Sequence, residues 1–344
     1  MNLQLLWLIA QFLLCAAAIS VAGYRLAVEG QRIGEVWGLT GSWVGLAMLA
    51  SVTSLPELLT GVSAVTLAQA PNIAVGDALG SCVINLAFLV VVDFALRGEP
   101  LYRRASSSHL LSGAFGVVML GFVGMNILLA STPGVRQLAV DGVGLYSPVI
   151  VLLYLIALRM VFHYEGKQPK ADAPPAGPGP ELEHHPSIWR SVQRFVLAAL
   201  VVAAAGLWLP VAGAQLADAL GWNRSFIGTL FIALATSLPE LAVTLTALKL
   251  RALDMAVSNL LGSNLFNAVI IAIDDVAYRQ GPLLAHVSPL HAVTAISAVV
   301  MTGLAMIGLF YRPQGRVLRA VGWVSIALTA VYLLNTYVVF LYGA

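Results

Sequence analysis

The sequence predicts an all-α polytopic membrane protein: ten transmembrane helices as two inverted five-helix repeats, with both termini outside. Three observations predict it. Of 344 residues, 59% are hydrophobic and only 10% charged, with a mean hydropathy of +0.89, where a soluble domain carries about 25% charged residues. Apolar runs recur along the whole chain, each close to the roughly 20 residues that a spanning helix needs. The second half of the chain repeats pieces of the first.

The runs fall near 3–22, 38–68, 73–96, 109–130, 144–164, 193–214, 225–248, 253–274, 287–310 and 318–341. The opening "MNLQLLWLIAQFLLCAAAIS" has no Lys or Arg in its first residues, and Leu14 precedes Cys15 where a lipoprotein signal needs a small residue. It is therefore taken as the first spanning helix. Cys15 and Cys82 both lie in apolar runs and imply no disulfide.

Charge position gives the orientation. If the loops alternate sides, one side receives Arg25, Arg32, Arg97, Arg103, Arg104, Arg159, Lys167, Lys170, Arg190, Arg194, Lys249, Arg251, Arg312, Arg316 and Arg319, and the other only Arg136, Arg224 and Arg279. Cytoplasmic loops carry the excess of basic residues, so the linker at 165–190 is expected in the cytoplasm. Its sequence, "EGKQPKADAPPAGPGPELEHHPS", is rich in Pro and Gly and reads as flexible. His184 and His185 within it are adjacent histidines in a solvated segment, a weak metal signal.

Residues 1–164 and 191–344 form the two repeats. "VAGYRLA" (21–27) returns as "VAGAQLA" (211–217), "TSLPELLTGVSAV" (53–65) as "TSLPELAVTLTAL" (236–248), and "AVGDALGSCVIN" (74–85) as "AVSNLLGSNLFN" (256–267). From that last pair onward the offset is 182, matching Asp93 with Asp275 and His109 with His291. Five helices is an odd number, so the second half must enter the membrane from the opposite side, the architecture of an alternating-access transporter.

The motifs at 53–85 and 236–267 carry the chemistry. Proline lacks an N–H and its ring displaces the carbonyl four residues back, here that of Val52 and Ala235. Irregular backbone survives in a bilayer only beside protein or a polar cavity. Thr53, Ser54 and Glu57 surround the first freed carbonyl, and Thr236, Ser237 and Glu240 the second. A mid-membrane carboxylate costs about 2.5–3.5 kcal/mol on insertion scales, so a matched pair implies a function. Asp77, Ser81 and Asn85 share one helical face at i, i+4, i+8, and Asn259, Ser263 and Asn267 repeat it. Gly80 and Gly262 permit close helix approach. The donor set is all oxygen, which suits hard cations such as Ca²⁺ and Na⁺.

"TSLPE" followed by "GSCVIN", and again by "GSNLFN", resembles the two alpha-repeats of the Ca²⁺/cation antiporter superfamily, in particular its prokaryotic sodium/calcium exchangers. The resemblance spans nearly the whole chain. It implies that Glu57 and Glu240 bind Ca²⁺ and Na⁺, with Thr53, Ser54, Ser81, Asn85, Thr236, Ser237, Ser263 and Asn267 completing the sites. It also implies that helices 2, 3, 7 and 8 form a core across which helices 1 and 6 slide. Four positions depart from the family pattern. Val52 and Ala235 stand where Gly is usual, Cys82 stands where Asn is usual, and Asp77 replaces Asn. Asp77 then serves as a lure at the outer mouth, a third charge in the site, or a partnered structural carboxylate. Asn267 occupies a position that is acidic in potassium-dependent members.

The resulting expectation is a secondary antiporter, not an enzyme, in the inner membrane of a prokaryote, exchanging Ca²⁺ for Na⁺. A proton-coupled divalent-cation antiporter is the alternative. Its partners are Ca²⁺, Na⁺ or H⁺ and the lipid bilayer; no cofactor or nucleic acid is expected, and a monomer suffices. No GxxxxGKS motif for ATP is present. An intramembrane hydrolase would need a nucleophile beside a Glu57–Glu240 dyad, and none is evident. A cation channel is separated by asking whether transport saturates and needs a counter-ion gradient. Asp93 with His109, and Asp275 with His291, flank the turns between helices 3 and 4 and between 8 and 9; each Asp is expected either to pair with Arg or His and fix its hairpin, or to gate with pH.

Overall fold

The computed structural model describes residues 3–36, 50–96, 101–167, 188–249, 252–313, 315 and 321–342. In chain order the membrane elements are α1 (Leu3–Val36), α2 (Leu55–Thr66), α3 (Pro71–Ala95), α4 (His109–Ala130), α5 (Tyr146–Lys167), α6 (Ile188–Leu220), α7 (Arg224–Lys249), α8 (Leu253–Ala277), α9 (His291–Tyr311) and α10 (Trp323–Tyr342). Among the described residues nine of these, all but α2, are long and apolar enough to cross a membrane. The expected second span, 38–68, falls partly outside the described residues, and so does most of the linker at 165–190 with His184 and His185.

Two helices run well past their hydropathy windows. α1 continues to Val36 and α6 begins at Ile188. Hydropathy stops where charge begins, but Glu29, Arg32 and Arg194 are partnered. Glu29, only 3% exposed, is 3.2 Å from Arg32 one turn on and 3.7 Å from Arg194 of α6. Trp208 of α6 donates to Gln11 of α1 at 2.9 Å. α1 and α6 therefore lie along each other over most of their length.

Burial separates a centre from a periphery. The most apolar windows of α3 and α8 are 72% and 83% buried within the protein, and that of α7 67%, against 28% for α1, α5 and α10. Contacts cross between the halves: α3 is flanked by α9 and α10, α8 by α4 and α5, α6 packs on α2, and α1 on α7. The crossing of α3 and α8 is marked by a reciprocal contact. Asn264 donates to the Cys82 carbonyl at 3.2 Å, and the Cys82 thiol faces the Asn264 carbonyl at 3.8 Å.

The two prolines act differently. The helix preceding α2 is interrupted at Ser54 (φ −88°, ψ 11°), which places Pro56 in a first turn where its missing N–H costs nothing. Pro239 sits inside a continuous helix, preceded by a π-helical segment at Ile227–Ile232. A π-bulge also interrupts the regular ladder and is frequent at functional sites. That segment is pressed against α3, where any Cβ at Gly80 would collide with the backbone of Thr229.

Asp93 and Asp275 turn out to be anchors. Asp93 accepts from the Leu101 and Gly322 N–H groups at 2.9 and 2.8 Å and from Ser325 at 2.7 Å. Asp275 accepts from Leu283 N–H (2.7 Å), Gly144 N–H (2.9 Å), Tyr146 (2.6 Å) and Ser147 (2.5 Å). Gly144 closes a two-residue hairpin, β1 (Ala139–Val140) and β2 (Val143–Gly144), turned at Asp141-Gly142 with both φ positive. Of the Arg or His partners expected for these carboxylates, the histidines lie elsewhere: His109 meets Asp254 at 2.9 Å and His291 meets Asn72 at 3.2 Å.

Candidate cation site

The two TSLPE segments face each other and exchange hydrogen bonds. Ser237 donates to Glu57 Oε1 at 3.1 Å, and Ser54 donates to Glu240 Oε1 at 3.1 Å. Each serine thus serves the glutamate of the other half. Both glutamates are buried, 1% and 0% exposed, and in both Oε2 has no partner. A buried carboxylate oxygen without a donor costs free energy unless something supplies positive charge. Two such oxygens, one from each half, form an unsatisfied acceptor pair.

The surrounding oxygens are arranged less evenly. Thr53 donates to the Ala50 carbonyl at 3.1 Å and lies 3.5 Å from Ser263 Oγ. Its counterpart Thr236 bonds instead to Asp77 Oδ1 at 2.9 Å, and also approaches the Ile232 and Ala233 carbonyls at 3.1 and 3.2 Å. Asp77 is 1% exposed with Oδ2 unpartnered, so it stands inside the bundle and not at an open mouth. Asn85 donates to Asn264 Oδ1 at 3.1 Å and leaves its own Oδ1 free. Ser81 Oγ and both side-chain atoms of Asn267 are buried without hydrogen-bond partners. Ala235 is buried, while Val52 is half-buried, with its side chain packed towards Gly30 of α1.

Among the described residues, no three His, Cys, Asp or Glu side chains converge into a metal cluster. The donors gathered here are two carboxylates with hydroxyl and amide oxygens, a set matched to hard cations that accept neutral oxygen ligands.

A family model described as sodium/calcium exchanger protein matches residues 7–166 and 190–341. The chain belongs to the sodium/calcium exchanger family. It is 27% identical over 328 residues to the uncharacterised membrane protein MJ0091 of Methanocaldococcus jannaschii, covering 95% of this chain and 96% of that protein. It is 26% identical to the inner membrane protein YrbG of Escherichia coli, covering 72% of each. With the Ca²⁺/H⁺ antiporter ChaA of Bacillus subtilis it shares 26% identity, covering 75% of this chain and 72% of that one. The fold matches that of the sodium-calcium exchanger NCX_Mj soaked with 2.5 mM Na⁺ and 10 mM Sr²⁺ (TM-score 0.59, 23% identity, 97% of this chain and 99% of that one). It also matches native YfkE (TM-score 0.65, 16% identity, 96% and 92%).

Within this chain the structure adds Asn264 and Asp274, which the motifs do not single out, and gives partners to Asn259. Asn264 is buried between α3 and α8 and ties Asn85 to the Cys82 backbone. Asn259 donates to the Glu240 carbonyl at 3.4 Å and to Thr244 at 3.3 Å. Asp274 is wholly buried on α8, and neither of its carboxylate oxygens has a partner. The signal for Asp274 lies in the sequence: Asn259, Ser263, Asn267 and Asp274 follow the helical repeat down one side of α8.

Proposed function

We propose that this protein is a secondary antiporter, not an enzyme, that moves Ca²⁺ against Na⁺ by alternating access. In this reading ten helices form two inverted five-helix repeats, 1–164 and 191–344, joined by a cytoplasmic linker at 165–190. Both termini are outside, the membrane is the prokaryotic inner membrane, and one chain is sufficient. The observation that carries it is the reciprocal exchange between Ser54 and Glu240 and between Ser237 and Glu57, which leaves one acceptor oxygen of each glutamate open to a cation.

The cation ligands in this reading are Glu57 and Glu240, with Thr53, Ser54, Ser81, Asn85, Thr236, Ser237, Ser263 and Asn267 around them. Asp77 adds charge, and the Val52 and Ala235 carbonyls are further donors. Two carboxylates balance one Ca²⁺. Monovalent ions use the same oxygens, so occupancy by one ion excludes the other, and that exclusion is the basis of exchange. The long α1–α6 pair is the part that slides. It touches the site through Gly23, where an added Cβ would meet Pro239 Cγ at 2.5 Å and Pro56 Cγ at 3.8 Å.

Coupling to H⁺ is the second reading, favoured by the likeness to the Ca²⁺/H⁺ antiporter ChaA. Uptake of ⁴⁵Ca²⁺ into proteoliposomes under an imposed Na⁺ or H⁺ gradient decides between them. Sodium coupling is expected: an outward Na⁺ gradient drives Ca²⁺ accumulation, and Glu57→Gln and Glu240→Gln abolish it. Retained exchange in both variants would overturn the site assignment, and uptake driven by H⁺ alone would overturn the coupling ion.

A further inference from the structure

Among the described residues, Asp274 is the one carboxylate with both oxygens buried and without a hydrogen-bond partner. It is 0% exposed, in the interior of the bundle, with both carboxylate oxygens unpartnered. Its neighbour Asp275 is fully used by four donors, so the two adjacent carboxylates have opposite situations. Protonation alone does not resolve the problem, since a carboxylic acid gains a donor that also needs an acceptor. A dehydrated cation resolves it by occupying the oxygens directly.

The surroundings point to such an ion. Asp274 is packed against Gly61 of α2, where a Cβ would run into its carboxylate. Gly61 follows Glu57 by four residues on the same face of α2, a rise of about 6 Å. Asp274 is also within electrostatic range of Asp77, whose Oδ2 is likewise buried and unpartnered. α3 and α8 run antiparallel here, as the Gln69–Gln280 contact at 2.6 Å shows, so the start of α3 and the end of α8 share one end of the bundle. Glu57, Asp77 and Asp274 therefore lead from the paired glutamates towards that end.

We propose that Asp274 is the carboxylate of a second cation subsite, between the Glu57–Glu240 pair and the end of the bundle where α3 begins, which takes a small hard monovalent cation. One carboxylate supplies one negative charge, and no three acidic or soft ligands converge among the described residues, which fits Na⁺ better than a divalent ion. The missing side chain of Gly61 makes room for the carboxylate beside the α2 backbone. The proposal rests on the antiport reading and assigns part of the sodium load to a residue outside both alpha-repeat motifs.

The test is equilibrium binding to the purified full chain in detergent, using ²²Na⁺ without Ca²⁺ and ⁴⁵Ca²⁺ without Na⁺. Asp274→Asn is expected to weaken Na⁺ binding at least tenfold, or to remove one bound Na⁺ per chain, while ⁴⁵Ca²⁺ affinity stays within twofold. Gly61→Ala, which keeps the charge but fills its space, is expected to act in the same direction. It decides the matter if Asp274→Asn is not monodisperse. Na⁺ binding unchanged in the folded variants overturns the subsite, and so does parallel loss of Na⁺ and Ca²⁺, which would make Asp274 a support of the glutamate pair. A wild-type chain that binds no Na⁺ defeats the sodium antiport reading itself, a separate result.

Discussion

The inner ring of the site and its two flanks differ in symmetry. In the ring the halves are interchangeable: Ser54 bonds Glu240 and Ser237 bonds Glu57 at the same 3.1 Å. In the flanks they are not. Asp77 on α3 corresponds to Asn259 on α8, and Asp274 corresponds to Val92, at the same sequence offset of 182. Both additional carboxylates lie where α3 begins and α8 ends. In the proposed antiport, a symmetric centre lets one ion be held identically by either half. The charged flank then makes approach from one end differ from approach from the other, without changing the site that both ends share.

The largest expected effect tests the symmetric part. Glu57→Gln and Glu240→Gln should each reduce Na⁺-dependent ⁴⁵Ca²⁺ exchange by at least about 100-fold, the scale of removing one partner of a buried charge interaction at about 3–5 kcal/mol and 1.4 kcal/mol per tenfold. The two losses should be equal within measurement. A variant that keeps exchange while the other loses it would show that the halves are alike in geometry only.

Asp77→Asn tests the asymmetric flank. The half-saturating Ca²⁺ concentration should rise about tenfold at the Asp77 end, a charge interaction of about 1.4 kcal/mol at an effective dielectric near 20. At the opposite end it should barely move. Uptake into vesicles of defined, opposite orientation measures both values. Equal change at both ends would make Asp77 a charge felt alike from either side and remove the distinction.

The symmetric part was legible in the sequence and the flank was not, for a physical reason. Reading the chain as a repeat rewards residues that recur, so the TSLPE copies, Asp93 with Asp275 and His109 with His291 all stood out. Asp274 has an aliphatic counterpart and sits beside the more conspicuous Asp275, so repetition hid it. Helix periodicity along α8 would have exposed it. Hydropathy likewise ended α1 near residue 22, because a window cannot know that Glu29 is met by Arg194 from another helix. The break at Ser54 and the unbroken passage through Pro239 follow from identical pentapeptides, so what distinguishes them lies outside the motif. The π turn upstream of the second copy is one such difference.

A smaller effect separates the two helices proposed to slide. Gly23 of α1 abuts the rigid ring of Pro239, whereas Gly213 of α6 faces the terminal methyl of Ile232, at 2.8 Å from a built Cβ. A ring fixed to backbone cannot yield, but an isoleucine tip can. Overpacking costs about 1–3 kcal/mol, so Gly23→Val should lower the maximal exchange rate about tenfold at unchanged ⁴⁵Ca²⁺ binding, and Gly213→Val less. Equal rates in the two variants would mean that the proline contact does not restrict the movement of α1.

The smallest effect lies at the hairpin ends, where the halves differ by a single atom type. His109 Nε2 and the Ser106 N–H approach Asp254 Oδ1 at 2.9 and 2.7 Å; His291 Nε2 and the Ser288 N–H approach Asn72 Oδ1 at 3.2 and 2.6 Å. The amide oxygen of Asn72 thus makes the same two contacts that the Asp254 carboxylate makes, so Asp254→Asn keeps the local geometry and removes only charge. That charge is exposed over 59% of its side chain and stands in the first turn of α8. An exposed pair and a helix N-terminus each contribute at most about 1 kcal/mol, so the thermal midpoint in detergent should fall by no more than a few degrees, with exchange intact. A collapse of the fold in Asp254→Asn would mean that the two ends, alike in bonding, carry unequal shares of the stability, and that this one depends on its carboxylate charge.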